Sequence, residues 1–258
     1  MLHLTELGNE NGAPVLFLHA GSYSGTMWRD IAARLPDLCC ILPDLPGHGY
    51  SREIKLTTLE EAADAVAALI IDRYPGGPVH LVGLSFGAYV GLILMARHPQ
   101  LIQRAMLSGL HLGALPQRRL MTLFAAVISP LIRLHVVRRK LAEPLGITDR
   151  SIYDRADGAA NLTPRTLRSV FRLVSVFDVY DLLPTIPVPT LVIAGEREHS
   201  TITYSLNDFQ RLMPNCAARI VPGLGHAWCR EDPDLFAETV AAWQRGAPPP
   251  SDLAPIDA

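Results

Sequence analysis

Short, compact apolar runs recur along the chain at Val15–His19, Cys39–Leu42, Val79–Val82, Arg104–Leu107, Thr190–Ala194 and Ala218–Val221. Unbroken apolar runs of this length, without the polar alternation of a half-exposed strand, fit strands buried on both faces. Longer segments with helical periodicity separate most of them, including Leu59–Ile71, Phe86–Arg97, Ser205–Leu212 and Pro233–Trp243. Strand alternating with helix predicts an α/β fold: a mostly parallel central sheet of about seven strands with helices on both faces.

The rhythm breaks between Leu112 and Asp178, where apolar and arginine-rich helical stretches are interrupted at Pro116, Pro130, Pro144 and Pro164. Proline ends or kinks a helix, so residues 112–178 are expected to form an inserted helical cap on a core made of 1–111 and 179–246. Residues 247–258 are proline-rich, lack an apolar period and are expected to be disordered.

Composition narrows the picture. At 258 residues and 49% hydrophobic content the chain supports one large core. Its net charge of −2 gives no reason to expect a nucleic-acid partner, although the cap carries eleven Lys/Arg against five Asp/Glu. Adjacent Cys39 and Cys40 would point to opposite faces of a strand and read as buried free thiols, as do Cys216 and Cys229, which fits a reducing, cytoplasmic setting. The N-terminal residues lack a signal-peptide pattern, and the longest apolar run, Leu120–Ile132, is too short for an integral membrane span. No cysteine or histidine spacing suggests a metal and no glycine-rich phosphate loop is present, so no cofactor is expected.

The candidate chemistry begins at "GLSFGA", residues 83–88, between a predicted strand and a predicted helix. A serine on a tight strand-to-helix turn needs small residues two positions away on each side, which Gly83 and Gly87 provide. Ser85 is therefore the candidate nucleophile, and serine needs a base oriented by an acid. His226, in the glycine-flanked loop "VPGLGHAW" after the last apolar run, is the candidate base. The acid is expected after a strand between the two, where "LVIAGERE" offers both Glu196 and Glu198. Cys229 is read as a packed thiol, and His48 and Asp44 as braces of a turn.

From Val15 to about Trp243 the pattern resembles the α/β-hydrolase superfamily: "FLHAGSYSGTMW", "DLPGHGYS", "GLSFGA", "LVIAGERE" and "VPGLGHAW" fall in that order. The resemblance implies Glu198 as the acid, although most relatives carry Asp there. It also implies an oxyanion hole from the backbone N–H groups of Gly21 and Phe86, with Ala20 standing where the family usually has glycine. Ser22 and Tyr23 in the oxyanion loop, Leu123 and Phe124 in the cap, and Trp228 after the histidine are expected to line a substrate pocket. The reaction implied is hydrolysis of carboxylic esters, lactones or thioesters of small to medium, partly apolar molecules. A same-fold lyase or carbon–carbon hydrolase, and a ligand receptor that keeps the triad, stand as alternatives.

Overall fold

The computed structural model describes residues 1–21, 23–115, 118–131, 134, 136, 137, 140 and 163–256. Eight strands form one sheet: β1 (Leu4–Gly8), β2 (Pro14–Leu18), β3 (Cys39–Pro43), β4 (Val79–Leu84), β5 (Ile102–Ser108), β6 (Thr190–Gly195), β7 (Cys216–Val221) and β8 (Ala254–Pro255). Their order across the sheet is β1-β3-β2-β4-β5-β6-β7-β8. β2 to β7 run parallel; β1 and β8 lie antiparallel on the two edges. The six central strands coincide with the six apolar runs. The edge strands raise the expected seven to eight.

β8 also corrects the expectation of a disordered tail. Ala254 pairs with Ile220 and Pro255 with Arg219, while Leu253 is buried. The anchor is two apolar side chains, buried Leu253 and half-buried Ile256, with two ladder residues between them, a signal that proline content hides.

Alternation along each strand divides the core into two layers. Leu16, Leu18, Ile41, Leu81 and Leu107 face α2 (Leu59–Arg73), α3 (Phe86–Arg97) and α6 (Ser200–Leu212). Val15, Phe17, Cys40, Leu42 and Met106 face Trp28, Ile31 of the short α1 (Arg29–Ala32), and Phe236 and Val240 of α8 (Pro233–Gln244), which follows the single-turn α7 (Trp228–Glu231). α3 is buried over its first ten residues, Phe86 to Met95, because sheet, α2 and cap enclose it. Local chemistry fixes where helices start: the Thr58 hydroxyl accepts from the Glu61 N–H at α2, and Thr163 accepts from Thr166 N–H ahead of Pro164 at α5 (Pro164–Ser175).

Within 112–178, the described helices are α4 (Arg118–Ile128) and α5. They pack on each other, and α5 also reaches α3. The Thr166 hydroxyl donates to Gly47 O at 2.8 Å, and the Arg172 guanidinium donates to Thr57 O at 2.7 Å, tying α5 to the core.

Candidate active site

Parallel strands β2, β4, β6 and β7 end on the same side of the sheet, and the candidate residues Gly21, Ser85, Glu198 and His226 follow those ends in turn. Ser85 has φ 52° and ψ −121°, the one non-glycine residue at positive φ among the described residues. Such a conformation costs about 1–3 kcal/mol and persists only where the surroundings enforce it. Here they do. Ser85 N–H donates to Ser108 O at 2.8 Å, and Ser85 O accepts from Ala88 N–H and Tyr89 N–H as α3 begins. A Cβ on Gly87 would lie 2.1 Å from Leu18 O, and one on Gly83 would lie 2.8 Å from Gly87 O. Both glycines are thus set by backbone-to-backbone approach, and the serine side chain stands at the positive end of a helix.

The acid and base meet across two loops. His226 Nδ1 lies 2.6 Å from Glu198 Oε2, both side chains being almost fully buried. A carboxylate can only accept, so Nδ1 is the donor in this pair, which leaves Nε2 as the ring nitrogen that holds the lone pair in the neutral imidazole. The other carboxylate oxygen of Glu198 accepts from Gly195 N–H at 3.0 Å, fixing the orientation of the acid. The two loops are stitched by Glu196 N–H to Val221 O and Arg197 N–H to Leu224 O. Gly195 makes this fit possible, since a Cβ there would be 2.6 Å from both Leu224 O and Gly225 O. Glu196 turns elsewhere: its carboxylate accepts from Gly223 N–H at 2.6 Å. Of the two candidate acids, the structure brings Glu198 to the imidazole.

Serine and histidine converge on one dipeptide. Ser108 O holds Ser85 N–H, while the adjacent Gly109, at φ 71°, lies so close to the imidazole that a Cβ would be 2.6 Å from His226 Cε1. Gly109 was not singled out in the sequence, yet it ends an apolar run as Gly83 and Gly195 do, and that parallel was the available signal. Gly21 abuts Phe86, its absent Cβ falling 3.4 Å from Phe86 Cβ and 2.9 Å from Val170 Cγ1 of α5. The two candidate oxyanion donors are therefore neighbours under the cap helix. Val170 and Thr166, which cover this corner, carry no local sequence mark of that role.

The turn residues brace this corner. Asp44 accepts from Gly25 N–H and Tyr50 N–H, each at 2.8 Å. His19 donates from Nδ1 to Ala20 O and accepts from Leu45 N–H at Nε2, and burial lowers its pKa to about 4. His48 donates from Nδ1 to Pro46 O; burial, with the neighbouring His19, lowers its pKa to about 3. Burial pushes the Cys229 thiol up to about 12, in keeping with a packed, unreactive group.

The pocket expectations fare differently. Ser22 lies outside the described residues. Tyr23 is half-buried against the layer that includes Trp28. Trp228 is fully buried, its ring on Phe236 and its Nε1 donating to Ser108 Oγ at 2.9 Å, so it is core rather than pocket wall. Leu123 and Phe124 are 61% and 48% exposed, and among the described residues the covered side of α4 is the one bearing Ala125. No group of three or more metal-ligating side chains occurs among the described residues, nor any helix long and apolar enough to cross a membrane.

A parallel sheet with a strained serine, an imidazole and a carboxylate gathered at its strand ends defines the α/β hydrolases as a class. The chain belongs to the alpha/beta hydrolase family, whose pattern residues 15–239 match. It is 29% identical over 245 residues to an AB hydrolase superfamily protein of Gibberella zeae, covering 91% of this chain and 81% of that one. It is 26% identical over 260 residues to the pimeloyl-[acyl-carrier protein] methyl ester esterase of Xanthomonas oryzae pv. oryzae, covering 96% and 100%. An esterase from Exiguobacterium antarcticum shares the fold at a TM-score of 0.83 and 16% identity, with 95% of each chain covered.

Proposed function

We propose that this chain is a serine hydrolase of carboxylic esters, lactones or thioesters, with Ser85, His226 and Glu198 as triad and the backbone N–H groups of Gly21 and Phe86 as oxyanion hole. The observation that carries the reading is the buried 2.6 Å pair of Glu198 and His226, whose imidazole meets Gly109, the neighbour of the Ser108 whose carbonyl holds the N–H of Ser85 at φ 52°. The esterase names among the relatives point to the same chemistry.

Ser85 Oγ attacks the substrate carbonyl carbon while His226 Nε2 takes its proton, and the carbonyl oxygen becomes an oxyanion facing the two amide donors. Each such donor contributes several kcal/mol to the transition state. Collapse of the tetrahedral species expels the alcohol or thiol, which leaves with the proton from Nε2 (a lactone keeps its alcohol on the acyl chain). Water then attacks the acyl-enzyme with the same base, and the acid product and free serine are released. Glu198 holds the tautomer and stabilises the imidazolium throughout. Residues 112–178 act as the cap that selects the substrate, small to medium and partly apolar.

The test is a fluorophosphonate probe read by intact mass, followed by turnover of a panel of simple esters. Wild type is expected to gain one adduct and Ser85→Ala none. Glu198→Gln is expected to lose roughly 10⁴-fold in kcat, while Glu196→Gln stays near wild type. An unreactive wild type, or equal losses in the two glutamine variants, would refute the assignment.

A further inference from the structure

The outward side of α4 is unexplained by the site. Leu120, Leu123, Phe124 and Val127 are 62%, 61%, 48% and 65% exposed, at a spacing that places them on one side of the helix. The opposite side holds buried Ala125 and faces α5. Past the helix, Leu131 and Leu134 extend the exposed apolar surface at 44% and 56%. Isolated surface apolar residues need no explanation, but a contiguous stripe of large ones marks a binding surface.

The surrounding sequence indicates what it binds. Between residues 112 and 142 there is no Asp or Glu, while Arg118 and Arg119 precede the stripe and Arg133, Arg138, Arg139 and Lys140 follow it. The apolar stretch Leu120–Ile132 itself offers only Thr122 and Ser129 as hydrogen-bonding side chains, and Ser129 is buried with its hydroxyl donating to Ala126 O. A fixed protein groove is usually recognised through polar contacts interleaved with apolar ones. A lipid surface asks for less: an apolar face to sink into the acyl boundary and cations to meet the phosphates.

We propose that the outward face of α4 docks on anionic lipid surfaces, laying the cap against a membrane that the chain does not cross. The docking is independent of the ester reaction, because none of the residues named belongs to the candidate triad or oxyanion hole. Its contribution divides into insertion of the apolar stripe and attraction between the basic residues and anionic headgroups.

The experiment is flotation of the full chain with vesicles of phosphatidylcholine alone or mixed with phosphatidylglycerol, at low and high salt. Wild type is expected to float with the mixed vesicles, weakly with phosphatidylcholine, and less as salt rises. Leu123→Asp with Val127→Asp should weaken binding at least about tenfold, and Arg118→Glu with Arg119→Glu should do the same at low salt only. Leu123, Val127 and Arg119 are exposed, so circular dichroism and melting of the variants should match wild type, and a Ser85→Ala protein should float as wild type does. The proposal fails if wild type stays unbound, if phosphatidylcholine alone binds equally well, or if the Asp pair floats normally. It fails equally if polyglutamate binds as strongly as the vesicles, which would indicate an acidic protein, or if lipid-free wild type self-associates through this face and the Asp pair abolishes that.

Discussion

The strand ends around Ser85 and the outer face of α4 solve opposite problems. At the strand ends these glycines are small because neighbouring atoms press on them: Gly87 against Leu18 O, Gly195 against Leu224 O and Gly225 O, Gly109 against the His226 ring. On α4 large apolar side chains stand in the open, and no contact in the described structure requires them to be large. The first region is specified from inside the molecule. The second carries a sequence whose cause lies outside it, and the contrast separates residues that build a site from residues that present a surface.

Substitution sharpens that contrast most at Gly109. Gly109→Ala forces a Cβ to within 2.6 Å of His226 Cε1 at φ 71°, so the imidazole must move. We expect kcat for ester turnover to fall by roughly 10²-fold, the usual cost of a displacement near 1 Å, with about 2 kcal/mol of stability lost to the left-handed alanine. Steady-state kinetics beside a urea melt separate the two; unchanged kcat would show that Gly109 does not position the base.

Acid comes next and acts on the braced core. His19 and His48 are held neutral by burial, with folded pKa values of about 4 and 3 against an ordinary 6.5. In the range between folded and unfolded values the unfolded chain binds the extra protons, so stability is full above pH 6.5 and falls as pH drops toward 4. By pH 5 the loss for His19 alone is about 2 kcal/mol. Denaturation midpoints from pH 7.5 to 4.5 should show it, and His19→Asn should flatten the slope. A slope unaltered by that variant would place the acid sensitivity elsewhere.

The smallest effect is expected on α4. Leu123→Ser and Val127→Ser should each change stability by less than about 0.5 kcal/mol, as exposed positions do. A loss above about 1.5 kcal/mol would mean that the face is covered within the folded chain, and would collapse the distinction between the two regions.

The same distinction explains what could be read in the sequence. β2 to β7 were legible because strands buried on both faces are written as continuous apolar runs. β1, with none of its residues fully buried, and β8, two residues long and containing Pro255, carry no such signature. Ser85 and His226 were legible from the glycines that bend their turns. Glu196 and Glu198 were not separable locally, since each carboxylate accepts a nearby backbone N–H and only the long-range approach of His226 distinguishes them. Leu123 and Phe124 stand exposed: apolarity shows that a side chain favours cover without saying whether this chain provides it.

The C-terminal residues close the sheet in a second sense. β7 would otherwise offer a row of unpaired N–H and C=O groups, the template on which one sheet recruits another. β8 occupies part of that row, and Pro255 brings no N–H of its own to extend the ladder further. A short, proline-bearing strip thus acts as a selvedge: it finishes the weave at β7 and leaves the next chain little to stitch to.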